Sequence, residues 1–175
     1  MLTVAAETGC DFRALLLEHR GMVFSIALNF LRDRGTAEEV AQEVFFSLHR
    51  NLDRIETPAH AAAWLRKVAV QRSIDEGRRR SRRPQVALED VAEPAAGAKP
   101  GDPLLSELLR KLIATLAEAP RMVMVLRYQE DLDPAEIAAA IEMPVATVKS
   151  HLQRSLALLR EKLARRGIGE SGWTG

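Results

Sequence analysis

Residues Asp133 to Leu163, DPAEIAAAIEMPVATVKSHLQRSLALLREKL, constrain the fold of this chain more than any other stretch. Asp133 suits an N-cap, Pro134 the first helical position, and Glu136 the reciprocal place of a capping box. Pro144 cannot extend that helix, because it lacks an amide proton and its ring crowds the preceding turn. Beyond it, Val145, Val148, Leu152, Leu156, Leu159 and Leu163 recur at gaps of three and four, which commits one face of a second helix to a core. Thr147, Lys149, Ser150, His151, Gln153 and Arg154 fall on other surfaces. A short capped helix, a tight connection and a longer basic helix make the layout of a helix-turn-helix, whose second helix enters the DNA major groove. An ordinary helical hairpin with solvated charges has the same pattern, and this segment alone leaves both readings open.

The rest of the chain suits the same architecture. Hydrophobic residues make up 47% of the 175 but aromatics only 5%, so any core must be built from Leu, Val, Ile and Ala. Such Ala- and Leu-rich segments with few β-branched runs predict an all-α protein. A single cysteine, Cys10, excludes an internal disulfide and cannot form a metal site by itself; no metal or other cofactor is expected. No stretch approaches the roughly 18 apolar residues of a membrane span, and MLTVAAETGCDF lacks the basic start and apolar run of a signal peptide. The expectation is a soluble cytoplasmic protein without membrane insertion.

Net charge is only +1, yet it hides segregation. Residues 1–83 carry 14 basic against 11 acidic side chains, and residues 104–142 carry four against seven. Residues 143–166 carry six basic and one acidic. Separate acidic and basic faces suit a protein that touches both an anion and something else.

Residues 84–103 hold four of the eight prolines and a net charge of −3, which reads as a flexible acidic linker. It divides the chain into an N-terminal unit, 1–83, and a C-terminal unit, 104–166, followed by a tail, 167–175. Each unit is small enough to need all its helices for one core. In the first, a helix begins at Phe12 with a possible break near Gly21. Thr36 is a plausible N-cap for a second helix, with Ala37, Val40, Ala41, Val44, Phe45, Leu48 and Leu52 on its apolar stripe. A third helix is predicted from near Ala61 into Arg78-Arg79-Arg80-Ser81-Arg82-Arg83, with Trp64 assigned to core packing. In the second unit, Leu104 to Leu116 form an amphipathic helix, Pro120 starts another, and Gly167 ends the last.

Three motifs, in this order and spacing, carry a resemblance. They are TAEEVAQEVFFSL (36–48), AWLRKVAVQRSIDEGRRRSRR (63–83) and MPVATVKSHLQRSLALLREKL (143–163). Together they resemble the extracytoplasmic-function sigma factors of bacterial RNA polymerase, over roughly residues 12–83 and 104–163. The resemblance implies a core-polymerase surface on Glu38, Glu39, Gln42 and Glu43 for the β′ clamp helices, with the C-terminal unit meeting the β flap. It implies that the loop 51–60 captures a flipped base of the −10 element, with Asn51, Asp53, Arg54 and Glu56 as candidates for the contacts. Gln71, Asp75, Arg78, Arg79, Arg80, Arg82 and Arg83 would then handle the −10 strand, since like charges so close together need an anion, and phosphate supplies one. Ala146, Thr147, Lys149, Ser150, His151, Gln153 and Arg154 would read the −35 element. An anti-sigma factor is a further implied partner, and promoter DNA is implied throughout.

Two positions depart from the family pattern: Gln71 stands where Asn is usual, and Glu142 where Gly is usual in the helix-turn-helix connection. Gly adopts a left-handed turn without steric cost, so Glu142 predicts strain or a different turn. A stand-alone helix-turn-helix regulator and a sigma-like decoy are the rival readings. An enzyme is not expected, because the four histidines are scattered and no Gly-rich phosphate loop is present.

Overall fold

The computed structural model describes residues 11–82 and 103–167. Their regular elements are helices: α1 (Phe12–Leu31), α2 (Arg34–Arg50), a short 3-10 turn (Leu52–Arg54), α3 (Pro58–Ser81), α4 (Pro103–Ala114), α5 (Glu118–Tyr128), α6 (Pro134–Ile141) and α7 (Val145–Ala164). The fold is all-α, as expected. The predicted linker lies outside the described residues except for Pro103, which opens α4.

Side-chain caps start α1, α2, α3 and α6, and two of them differ from the sequence expectation. Asp33, not Thr36, caps α2: its carboxylate accepts from the Thr36 amide at 2.7 Å, so the helix starts three residues earlier. That bond, helped by Arg80, holds the Asp33 carboxyl below its ordinary range. Thr57 caps α3 by accepting from the His60 amide at 3.1 Å, with Pro58 at the first position, so this helix begins three residues before Ala61. Likewise α5 begins at Glu118 and places Pro120 inside its first turn, where the missing amide proton is an orphan in any helix. The last helix ends at Ala164, ahead of Gly167, which takes φ 74°. Asp133 and Glu136 form the complete capping box that the sequence predicts.

Helix α1 runs unbroken through Gly21 for 20 residues, because Val23, Ile26, Ala27 and Phe30 after the glycine share a core with Leu15 before it. Its mean hydropathy of 1.3 makes it long and apolar enough to cross a membrane, which corrects the expectation that no stretch comes near that limit. Packing accounts for the composition: α1 lies against both α2 and α3 and buries seven of its residues. Gly77 of α3 permits part of this approach, since a Cβ there would stand 3.1 Å from the Phe30 ring.

The two units do not keep separate cores. One apolar cluster runs from Leu15, Ile26, Phe45, Leu65 and Val70 into Met122, Leu126, Ile137 and Val148, with α5 against α1 and α6 against α3. Trp64 is half-buried at its edge, as assigned. A second, smaller cluster joins Leu112, Leu116 and Met124 to Leu159 and Leu163. Leu152 packs on both clusters.

Candidate nucleic-acid and partner interface

The helix-turn-helix is formed by α6 and α7. Glu142 closes α6 at φ 54° and ψ 48°, so the connection takes the left-handed turn and Glu142 carries its steric cost. Lys67 at 2.6 Å and Gln71 at 3.1 Å hold its carboxylate, and they keep its pKa below the ordinary range, Lys67 more than Gln71. The two positions that depart from the family pattern are thus bonded to each other.

On α7, Val148, Ser155, Leu159 and Leu163 are buried, while Leu152 and Leu156 are half-buried. Val145 is 39% exposed, so the apolar stripe begins one turn later than the sequence predicts. Ser155 was missed because a serine between leucines carries no hydrophobic signal. Ala146, Lys149, Gln153 and Arg154 are exposed, and Thr147, Ser150 and His151 half-exposed. Among the described residues, no side-chain hydrogen bond or ion pair engages any of these seven. They form one polar face at the start of a 20-residue helix.

The basic end of α3 differs from its sequence reading. Three of its arginines are neutralised from within. Arg78 binds Glu118 through two bonds of 2.7 and 3.0 Å, which raises its pKa further. Arg79 pairs with Glu76 at 2.7 Å, and Arg80 reaches the Thr36 hydroxyl at 2.9 Å and Asp33 at 3.4 Å. Mutual repulsion therefore does not by itself demand an outside anion, because carboxylates of the chain itself supply it, two of them distant in sequence. Arg82 is exposed, Asp75 and Gln71 are exposed on the same helix, and Arg83 lies outside the described residues.

In the loop before α3, the Asn51 amide donates to the Ser47 carbonyl at 2.8 Å and so serves the end of α2. Asp53 and Arg54 are exposed on the 3-10 turn, and Ile55, 5% exposed, pins the loop to the core. The Ile55 anchor was not recognised from sequence, though a lone apolar residue among polar ones is its signal.

On α2, Glu38, Glu39, Gln42 and Glu43 are all exposed. Glu38 pairs with Arg34 at 3.0 Å and Glu43 with Arg72 at 3.6 Å. Beside them lies an open groove of about 1250 Å³, floored by Phe12, Leu16, Phe24 and Phe45. Phe46 stands 63% exposed at its rim with the Arg50 guanidinium 5.6 Å from its ring centre. This apolar element of the surface was missed, although the Phe45-Phe46 doublet signals it: neighbours on a helix are about 100° apart, so both cannot enter one core.

Comparison with known proteins bears on the same segments. Residues 15–83 match the family model for sigma-70 region 2, and residues 106–159 match the model for sigma-70 region 4. The chain is 28% identical over 160 residues to the ECF RNA polymerase sigma factor SigW of Bacillus subtilis, covering 83% of this chain and 84% of that one. It is 29% identical to the RNA polymerase sigma-E factor of Streptomyces coelicolor, covering 90% and 89%, and 29% identical to the ECF RNA polymerase sigma-E factor of Escherichia coli, covering 87% and 86%. Among solved structures, CnrH in complex with the cytosolic domain of CnrY superposes with a TM-score of 0.65 over 88% of each chain at 21% identity, a likeness of fold.

Proposed function

We propose a division of labour for this chain, which belongs to the extracytoplasmic-function sigma factors of bacterial RNA polymerase and is a promoter-recognition subunit. The acidic residues of α2, together with the aromatic groove beside them, dock on core polymerase at the β′ clamp helices, and the C-terminal unit meets the β flap. Charge complementarity sets the register of that encounter, and Phe46 adds apolar area. Helix α7 lies in the −35 major groove. There Lys149 and Arg154 contact phosphate or guanine, Gln153 pairs with adenine and Thr147 meets phosphate or a thymine methyl. Ala146, Ser150 and His151 line the same face.

The N-terminal unit holds the −10 strand. Asp53 and Arg54 present polar groups at the loop for a flipped base, with Asn51 acting from behind by fixing the end of α2. Gln71, Asp75, Arg78, Arg79 and Arg80 follow along α3, and Arg82 and Arg83 come next in the sequence. Opening costs a few kcal/mol per unstacked step, offset by strand capture and polymerase contacts, so the protein works by binding and performs no chemistry of its own. It acts in the cytoplasm, where template and polymerase are. An anti-sigma factor regulates it, a reading supported by the fold's likeness to CnrH, seen with the cytosolic domain of CnrY.

The observation that carries this reading is the unengaged polar face of α7, within the region 4 match and behind a fully capped α6. Run-off transcription with bacterial core polymerase on a randomised promoter library tests it. Enrichment of two conserved elements at fixed spacing is expected, and no start from any template would refute it.

A further inference from the structure

The carboxylate contacts across the seam between the two units run in one sense, while the Arg121 guanidinium donates to the Phe30 carbonyl at 3.4 Å in the other. Glu142 holds Lys67 and Gln71, Glu118 holds Arg78, Glu107 holds Arg32 at 3.1 Å, and Glu130 accepts from the Ser25 hydroxyl at 2.6 Å. In every case the carboxylate belongs to residues 107–142 and the donor to residues 25–78. The charge segregation of the sequence has become an interface.

Two of those donors, Gln71 and Arg78, lie on the α3 surface assigned to the −10 strand. Glu118 fills the Nε and Nη2 side of the Arg78 guanidinium through two bonds and offsets its charge, which leaves only the end carrying Nη1 for a phosphate. Gln71 gives a side-chain N–H to Glu142, and Lys67 beside it has its ammonium on the same carboxylate. The carboxylates present oxygen acceptors to this helix in the manner of a strand's phosphates. Glu142 does so from a left-handed backbone position that the turn itself does not favour for a residue with a Cβ.

We propose that Glu118 and Glu142 are an internal stand-in for DNA phosphate: they occupy Arg78, Gln71 and Lys67 in the free chain and mask the −10 surface until a strand displaces them. The pairs are exposed and individually weak, so the mask yields to a polyanion without unfolding the protein. Polymerase binding shifts the balance further if it draws the units apart. This inference rests on the promoter-binding reading of α3.

The test is the affinity of the full chain for a short mixed-sequence single-stranded DNA at low salt. The variant Glu118→Gln with Glu142→Gln keeps side-chain size and removes the mask. It is expected to bind about tenfold more tightly, the gain if masked forms outnumber unmasked by about ten to one. Its salt dependence should steepen, because freed cations release more counterions. The charge-matched control, Asp131→Asn with Glu161→Gln, removes two acids that touch neither Arg78 nor Gln71. Equal gains in both double variants, no gain in the first, or no strand binding by parent and variant would each overturn the mask. If circular dichroism shows helix loss in the double variant, the single Glu118→Gln and Glu142→Gln chains are compared instead, each expected to give part of the gain. Run-off transcription on the same samples separates the two levels: its failure in parent and variant alike counts against the promoter reading, while the affinity difference alone decides the mask.

Discussion

Ser73 is fully buried in α3 with its hydroxyl unpaired. A desolvated hydroxyl without a partner is a net cost, so Ser73→Ala should raise stability by up to about 1 kcal/mol in a denaturant melt; a clear loss would mean that the hydroxyl has a partner. Glu130 is the complementary case. Burial pushes its carboxyl above the ordinary range, outweighing the Ser25 hydroxyl and the Arg66 charge that lower it. The folded state then holds this proton more tightly than the unfolded chain does. Its contribution is full below the unfolded carboxylate pKa and is lost as pH rises through the raised value. Glu130→Gln keeps an acceptor for Ser25 and removes the titration. Its denaturant midpoint should match the parent in acid and exceed it at neutral pH, whereas equal midpoints at neutral pH would refute the burial argument.

At the scale of the element, α3 depends on one missing side chain. Gly77 lets Phe30 lie against the helix backbone, and the Arg121 guanidinium, 4.8 Å from the centre of that ring, limits its retreat. Gly77→Leu should therefore cost about 1–3 kcal/mol through overpacking, read as a lowered thermal midpoint. On α7, Lys149→Ala and Arg154→Ala should each weaken −35 duplex binding by the polymerase holoenzyme. Each lost phosphate contact should flatten the salt slope by about 0.9, and an unchanged slope in both would remove α7 from the groove. The helix-turn-helix was legible because its signals are local: a capping box, a proline and a periodic stripe lie within 31 residues. The start of α2 was not, since Asp33 and Thr36 are both good caps and only the packing of Ala37 and Val40 chooses the register. The arginine pairs on α3 were illegible for another reason. Their partners Asp33 and Glu118 are 47 and 40 residues away, a distance over which sequence spacing carries no geometry. Tertiary pairing, unlike capping, leaves no periodic trace.

For the whole molecule, the shared apolar cluster predicts thermodynamic coupling between the units. Calorimetry of the full chain should show one unfolding transition, because Met122, Leu126, Ile137 and Val148 belong to the same cluster as Ile26, Leu65 and Val70. Two resolved transitions would contradict that. The sequence suggested two self-contained cores because the proline-rich stretch separates the units along the chain, but separation along a chain does not prevent two apolar faces from meeting. The same geometry brings the acidic side of the C-terminal unit to the basic side of α3, which the regional charges anticipate only as a tendency.

Leu152 packs on both apolar clusters from the middle of a helix about 30 Å long. That makes α7 a girder rather than a finger. A pull on Arg154 is transmitted rigidly to Leu163 and on to Leu112 in α4, so gripping a DNA groove with the front of this helix must reposition the rear of the bundle as a solid body.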